Sequence, residues 1–331
     1  MRPTPRFAAS ALALAGTAVA AVLPVAPAKA EARQTNAAAA PPTAVEVTTV
    51  AKGLENPWGL QFLPDGRMLV TEKPGRLRIV GKDGKVSPPV AGVPAVYARG
   101  QGGLLDVRLS PDFSSSGTVY LSYAEPREGG KAGTTVARGK LILDGAGGRI
   151  EGMAPIFRQE PAGTTSFHFG SRIVPHPDGS LFITTGDRGN MRSEVQDPAT
   201  HIGKVIRIKP DGGPWDAAPA AAGWKAENWS MGHRNIQGAA LDASGALWTV
   251  EHGARGGDEL NRPERGKNYG WPIITYGRDY SGATIGEGTA KAGLEQPVYY
   301  WDPSIATSGL AVYDGGLFPQ WKGNLLAGGL A

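Results

Sequence analysis

Four short stretches of this chain carry side chains that could do chemistry on a small polar substrate. His168 lies in Phe167-His168-Phe169-Gly170, just ahead of an apolar stretch. An imidazole there can act as a general base, because its ordinary pKa lies near neutral pH, or can simply bond a neighbouring backbone group. Arg234 and Asn235 stand side by side in Gly232-His233-Arg234-Asn235. A guanidinium offers a planar fork to carboxylates, and a carboxamide both donates and accepts, so the pair suits an anionic, carbonyl-rich ligand. The same donors could equally close a hydrogen-bond cluster between strands. Gln101, in Arg99-Gly100-Gln101-Gly102-Gly103, adds a third polar group with the same relation to a following apolar stretch. The fourth stretch, Glu251 to Pro272, holds five glycines, four acidic residues and a single tyrosine. Glycines such as Gly253 let carbonyls turn inward, Asp258 and Glu259 offer carboxylates, and Tyr269 follows. Hard cations take carbonyls together with carboxylates, so calcium is compatible with this stretch, although the spacing is not that of an EF-hand.

Several chemistries drop out. There is no G-x-S-x-G elbow, H-E-x-x-H, Walker loop or G-x-G-x-x-G. The five histidines, His168, His176, His201, His233 and His252, include no close pair at metal-ligand spacing, which argues against zinc. The net charge of +4 comes from lysines and arginines scattered among acids, so no nucleic-acid partner is expected. There is no cysteine, so an exported chain of this kind uses no disulfides.

The elements that must position these groups repeat one theme. Trp58–Glu72, Gly103–Tyr123, Gly170–Asp187, Gln237–Gly253 and Ser308–Gly328 each read as an apolar strand, a turn built on Pro-Asp-Gly or its equivalent, and a second apolar strand. The copies recur every roughly 45 to 75 residues, the spacing of one four-stranded propeller blade per copy with insertions on one face. No stretch sustains a 3.6-residue apolar period, so helices should be few. Gly 48 and Pro 27 in 331 residues, with 41% hydrophobic residues, fit a turn-rich fold that still builds a core. An all-β propeller is therefore expected. In it, Gln101, His168 and Arg234-Asn235 stand at equivalent points before successive copies and converge on one pocket. The fifth copy runs to Ala331 directly after a strand, which reads as truncation in the last blade.

Arg2 and Arg6 precede an apolar run from Phe7 to Leu23, followed by Ala28-Lys29-Ala30. This pattern predicts a secretory signal peptide over 1–30, too short and alanine-rich for a membrane anchor. An Ala/Pro-rich disordered linker over 31–45 and a propeller domain over 46–331 follow. The mature protein is expected in the periplasm or medium, with no stable membrane insertion.

The stretches Gly53–Val80, Gly100–Val107, His168–Arg172, Gly232–Gly238, Glu251–Asn261 with Gly266–Pro272, and Pro303–Gly315 together resemble the soluble, PQQ-dependent aldose sugar dehydrogenases of the glucose/sorbosone dehydrogenase family. The resemblance covers nearly the whole expected mature chain. It implies a six-bladed propeller that holds pyrroloquinoline quinone (PQQ) and Ca2+ and oxidises aldoses at C1 to lactones, with an unknown electron acceptor. It implies that His168 is the general base, that Gln101 touches cofactor and substrate, and that Arg234 and Asn235 lie beside the quinone oxygens. Gly253 and Ala254 would give main-chain carbonyls to the cofactor calcium; the family often has proline at the second position. Glu259 and Tyr269, with Asp258, would belong to a separate structural calcium, and Tyr280, Ala306, Thr307 and Ser308 to the cofactor pocket. Phe167 stands where glucose-specific relatives have an aspartate, which implies a broader aldose pocket. The family's last basic residues that grip PQQ would lie beyond Ala331, so weak PQQ binding is expected of the chain as it stands. Two other readings compete: a calcium-dependent lactonase, and a non-catalytic propeller that binds sugars or partners.

Overall fold

The computed structural model describes residues 44–331. The expected signal peptide, and the expected linker as far as residue 43, lie outside the described residues. Each of the five repeated hairpins nucleates one sheet. The first joins β1 (Pro57–Phe62) to β2 (Met68–Glu72), and β3 (Arg76–Val80) completes a three-stranded sheet. The second joins β4 (Leu104–Leu109) to β5 (Thr118–Pro126), extended by the long hairpin of β6 (Ala132–Asp144) and β7 (Gly147–Arg158). The third pairs β8 (Ile173–Pro175) with β9 (Leu181–Thr184), followed by β10 (Lys204–Ile208) and β11 (Asn228–Met231). The fourth pairs β12 (Ile236–Leu241) with β13 (Leu247–Glu251) and adds β14 (Asp258–Asn261). A short strand β15 (Lys267–Asn268) then crosses back to lie parallel to β11, and β16 (Tyr299–Trp301) closes the fourth sheet. The fifth hairpin is the two-stranded ribbon of β17 (Thr307–Val312) and β18 (Leu325–Gly329).

The architecture is an all-β propeller, with one difference from the six blades expected. The described residues form four sheets of three to five strands and a two-stranded ribbon. The reason is arithmetic in the repeat: there are five hairpin copies, each seeds one sheet, and the fifth consists of its two hairpin strands alone. Helix is limited, among the described residues, to one turn of α-helix at Phe113–Ser116 and three 3-10 turns. None of the described helices is long and apolar enough to cross a membrane.

Turn chemistry sets the register. In Pro64-Asp65-Gly66 the amide of Gly66 bonds the Leu63 carbonyl, the Asp65 carboxylate accepts the Arg67 amide at 3.0 Å, and Gly66 takes φ +86°. That left-handed conformation strains any side chain, which is why glycine closes the turn. The first strands β1, β4, β8, β12 and β17 lie side by side at the inner edge. Polar pins hold neighbouring sheets in step. Thr71 Oγ1 donates to the Leu105 carbonyl at 2.5 Å, Ser122 Oγ to that of Ser171 at 2.6 Å, and Arg172 Nε to that of Gln237 at 2.5 Å. Between these pins lie dry layers. Leu69, Leu77, Val107 and Leu121 fill one, Tyr120, Ile173, Ile183 and Ile206 the next, and Val174, Phe182, Val205 and Ile236 a third. Each such side chain contributes about 1.5–3 kcal/mol by burial.

Candidate active site

His168 sits on the loop that feeds β8, in a left-handed backbone conformation with φ +51°. A non-glycine residue held there stores strain of about 1–3 kcal/mol, and such strain gathers at functional sites. Close packing enforces it. A Cβ on Gly186 would fall 2.3 Å from the His168 carbonyl oxygen, and one on Gly170 would fall 2.8 Å from the Thr185 backbone, so both positions must be glycine for the two segments to touch. The His168 amide donates to Gln101 Oε1 at 2.8 Å. Its Nδ1 lies 2.5 Å from Asp187 Oδ1, and its side chain remains 14% exposed.

Asp187 carries no signal in the sequence that marks it out. Its carboxylate is fully buried and also accepts the Gly189 amide at 2.7 Å and Trp271 Nε1 at 2.9 Å. Burial alone would raise its pKa. The hydrogen bond and charge of His168, the Gly189 amide and the charge of Arg234 outweigh that and hold it below the usual carboxylate range. Toward a neutral imidazole, an ionised Asp187 accepts from Nδ1–H, the tautomer that leaves Nε2 with its lone pair. The two side chains have complementary roles. Asp187 orients the ring, and His168 keeps a basic nitrogen near solvent.

Arg234 and Asn235 reach the same region. The Asp187 amide donates to the Arg234 carbonyl at 2.8 Å. The Arg234 side chain is buried, stacks 5.3 Å from the Trp271 ring centre, and donates from Nη1 to the Gly253 carbonyl at 2.5 Å. Its Nε is buried without a partner. Asn235 Oδ1 accepts from the Gly170 amide at 3.2 Å and from Gln237 Nε2 at 3.0 Å. The structure thus brings Gln101, His168, Arg234 and Asn235 together. A 240 Å³ cavity lined by Gln101, Gly170, Asn235 and His252 lies among them. His252 also borders a 760 Å³ cleft with Ala254, Arg255, Arg278, Tyr280 and Ala306. Burial is the main reason the His252 imidazole lies below its ordinary value. Tyr280 is 68% exposed at the cleft, Thr307 is buried with a partnerless Oγ1, and Ser308 is half-buried at the start of β17.

The segment from Glu251 to Pro272 is less of a loop than its composition suggests, because Asp258–Asn261 forms β14 and its ends are buried. Asp258 needs correcting as a metal ligand. One of its oxygens takes the Gly253 amide at 2.9 Å, and the other takes Ser304 Oγ at 2.7 Å and the amides of Ile305 and Thr307. Four protein donors fill the lone-pair sites of one carboxylate. Asp258 therefore ties the 304–307 turn to the Gly253 turn. The Tyr269 hydroxyl is likewise spent: it donates to the Arg262 carbonyl at 2.5 Å and accepts the Glu264 amide at 3.0 Å, while the ring stacks on His233. Only its main-chain carbonyl is left for a cation. The Gly253 carbonyl already takes Arg234, which leaves one lone pair, and Ala254 pairs across the turn with Gly256.

Glu259 behaves differently. Burial first, then the neighbouring Glu251, push its carboxyl up to about 8. Asn261 Nδ2 bridges Glu251 Oε1 at 2.9 Å and Glu259 Oε2 at 3.1 Å, and Asn261 Oδ1 is buried with no partner. Glu251 is held further by His233 Nδ1 at 2.9 Å and the Arg234 amide at 2.6 Å. Two carboxyl groups and an unpaired carboxamide oxygen form a donor set that a hard cation could take once Glu259 gives up its proton. Among the described residues no three His, Asp or Glu side chains converge as a metal cluster.

Comparison with known proteins bears on this geometry. The model of the glucose/sorbosone dehydrogenase family matches residues 54–331. The chain is 46% identical over 297 residues to the aldose sugar dehydrogenase YliI of Escherichia coli K12, covering 88% of this chain and 79% of that one. A crystal structure of a glucose dehydrogenase superposes with TM-score 0.82 at 49% identity, covering 86% of this chain and 83% of the other. The PQQ-bound form of an aldose sugar dehydrogenase from Streptomyces coelicolor superposes with TM-score 0.70 at 32% identity, covering 86% and 77%.

Proposed function

The chain belongs to the glucose/sorbosone dehydrogenase family, and on that premise we propose that this sugar dehydrogenase oxidises aldoses at C1 to lactones with PQQ as oxidant and His168 as general base. The observation that carries the proposal is the His168–Asp187 pair at 2.5 Å, tied to Arg234 by the Asp187 amide, which donates to the Arg234 carbonyl at 2.8 Å.

The pocket fits a planar quinone that bears carboxylates. It has cationic groups at Arg255 and Arg278. Next to its lining, Arg234, bonded to the His252 and Gly253 carbonyls, has a buried partnerless Nε, and Thr307, which follows Ala306, has a buried partnerless hydroxyl. Gln101, Arg234, Asn235, Tyr280, Ala306, Thr307 and Ser308 would hold the cofactor. When bound, PQQ would supply the two-electron oxidant for the hydride leaving sugar C1, and the Gly253 and Ala254 carbonyls would hold a calcium that supplies Lewis-acid polarisation. The protein does the rest. His168 Nε2 takes the anomeric hydroxyl proton, Asp187 stabilises the resulting imidazolium, and the fixed Arg234 guanidinium stabilises negative charge developing nearby without reorganising. Phe167, half exposed beside the base, presents an apolar face in place of a charge, which supports acceptance of several aldoses. Glu259, the Asn261 side-chain oxygen and the Tyr269 carbonyl would hold a second, structural calcium. The leader expected over 1–30 supports a site of action outside the cytoplasm.

The test is dye reduction with a panel of aldoses, with and without PQQ and Ca2+. Turnover that requires PQQ and yields lactone supports the reading. Lactone hydrolysis with calcium alone would replace it.

A further inference from the structure

Arg188, which directly follows Asp187, takes no part in the chemistry above, yet it is the largest side chain wholly buried in the described residues. Burial lowers its pKa to about 10, so it stays a cation at neutral pH. Among the described residues, no acidic side chain lies at ion-pair distance from it. Its guanidinium is spent on backbone instead: Nη1 donates to the Phe167 carbonyl at 2.5 Å and Nη2 to the Thr165 carbonyl at 2.6 Å. The plane rests 3.4 Å from the Phe169 ring centre, and Nε is buried without a partner. Thr165 Oγ1 donates back to the Arg188 carbonyl. Even the neighbouring chain is shaped around this group, since a Cβ on Gly163 would press on Arg188 Cβ at 3.1 Å. Arg188 itself has φ +57°, so two strained residues, Arg188 and His168, face each other across the clamp. Burying a cation is costly, and a protein that needed only packing here would place an apolar residue.

We propose that Arg188 is a positioning residue for the general base, its forked guanidinium gripping the carbonyls on the N-terminal side of His168 and so holding the imidazole against Asp187. The inference rests on the reading of His168 as the base. Two adjacent residues would then divide the work: Asp187 fixes the ring and Arg188 fixes the backbone that carries it. Lysine cannot substitute, because a point charge on a flexible stem cannot grip two carbonyls while lying flat on a ring.

The test is a double-mutant cycle of R188K and H168A in the full chain loaded with PQQ and Ca2+, read by dye reduction and by amide hydrogen exchange of residues 165–170. R188K alone should lower kcat about 100-fold, the scale of a 1 Å misplacement, with KM for the aldose and PQQ affinity near wild type. Exchange at the His168 amide should rise while the β-sheet amides stay protected. In the H168A background, R188K should cost almost nothing further. Undiminished kcat in folded R188K, or the same proportional loss with and without His168, overturns the proposal. Wild-type turnover in H168A would refute the base reading instead, so the two failures are distinct. If R188K does not fold, T165V leaves the guanidinium in place and removes the Thr165 hydroxyl, with its bond to the Arg188 carbonyl and the long one it accepts from the Phe167 amide at 3.5 Å. It should lose about fivefold in kcat, the worth of one neutral hydrogen bond, and again only when His168 is present. Equal loss in both backgrounds would overturn the proposal by the same logic.

Discussion

Replacing Asp187 by asparagine keeps its volume but removes the charge behind the imidazole. One carboxylate oxygen takes His168 Nδ1 at 2.5 Å and Gly189 N at 2.7 Å, and the other takes Trp271 Nε1 at 2.9 Å. A carboxamide has a single acceptor oxygen. The orientation that keeps two of the three bonds points this oxygen at His168 and turns the NH2 against the indole N–H. His168 Nε2 then remains a free acceptor, but the imidazolium formed when it takes a proton has no anion beside it. At an effective dielectric of about 20, unit charges about 4 Å apart attract by about 4 kcal/mol. With the proton half transferred in the transition state, about 2 kcal/mol of this falls on the barrier, a loss of about 30-fold in kcat. Steady-state dye reduction at saturating PQQ measures it, with KM for the sugar little changed. A variant within about threefold of wild type, far under the 1.36 kcal/mol that a tenfold change represents, would refute the electrostatic role of Asp187. Stability carries a second signature. The carboxyl lies below its usual pKa when folded, so its charge contributes stability above the unfolded value of about 3.9 and loses it as pH falls through the folded value. The difference in urea midpoint between wild type and D187N should therefore shrink below about pH 4.

Glu259 should show the opposite pH dependence. Its folded value of about 8 exceeds the unfolded one, so without calcium its contribution is present at pH 4 and lost as pH rises through 8. Calcium should raise the melting temperature more at pH 8 than at pH 5, and E259Q should remove that difference between the two pH values in thermal melts. W271F removes the indole donor to Asp187 and should cost about 1 kcal/mol of stability and about fivefold in kcat, read by urea unfolding and dye reduction. K204M strips the buried ammonium that donates to the carbonyls of Val195 at 2.8 Å and Ile202 at 2.6 Å. It should cost about 1–3 kcal/mol in urea unfolding, because each carbonyl is left unpaired, with kcat unchanged well below the melting temperature.

The hairpin repeat was legible because each strand pair is local and its turn is written in Asp-Gly or an equivalent. From that repeat alone, Gln101, His168 and Arg234-Asn235 could be expected to converge. Asp187 could not, since its partner lies on another loop and an aspartate ending a strand resembles any turn residue. Arg188 was hidden for a related reason: an arginine in sequence suggests solvent, and only tertiary contacts show it lying on Phe169. The metal residues were misread where main-chain donors matter. Asp258 looked like a free ligand because its type is acidic, whereas the amides of Gly253, Ile305 and Thr307 saturate it. The blade count also exceeded what five hairpin copies can build.

The most direct measurement is rapid mixing of the PQQ-loaded full chain with an aldose carrying hydrogen or deuterium at C1, following the cofactor absorbance, in wild type and in H168A. Sugar-dependent reduction with a primary deuterium isotope effect in wild type, and its near-complete loss in H168A, is the expected result. Reduction in H168A at the wild-type rate, or no reduction by any aldose in a protein that has bound PQQ, would contradict it.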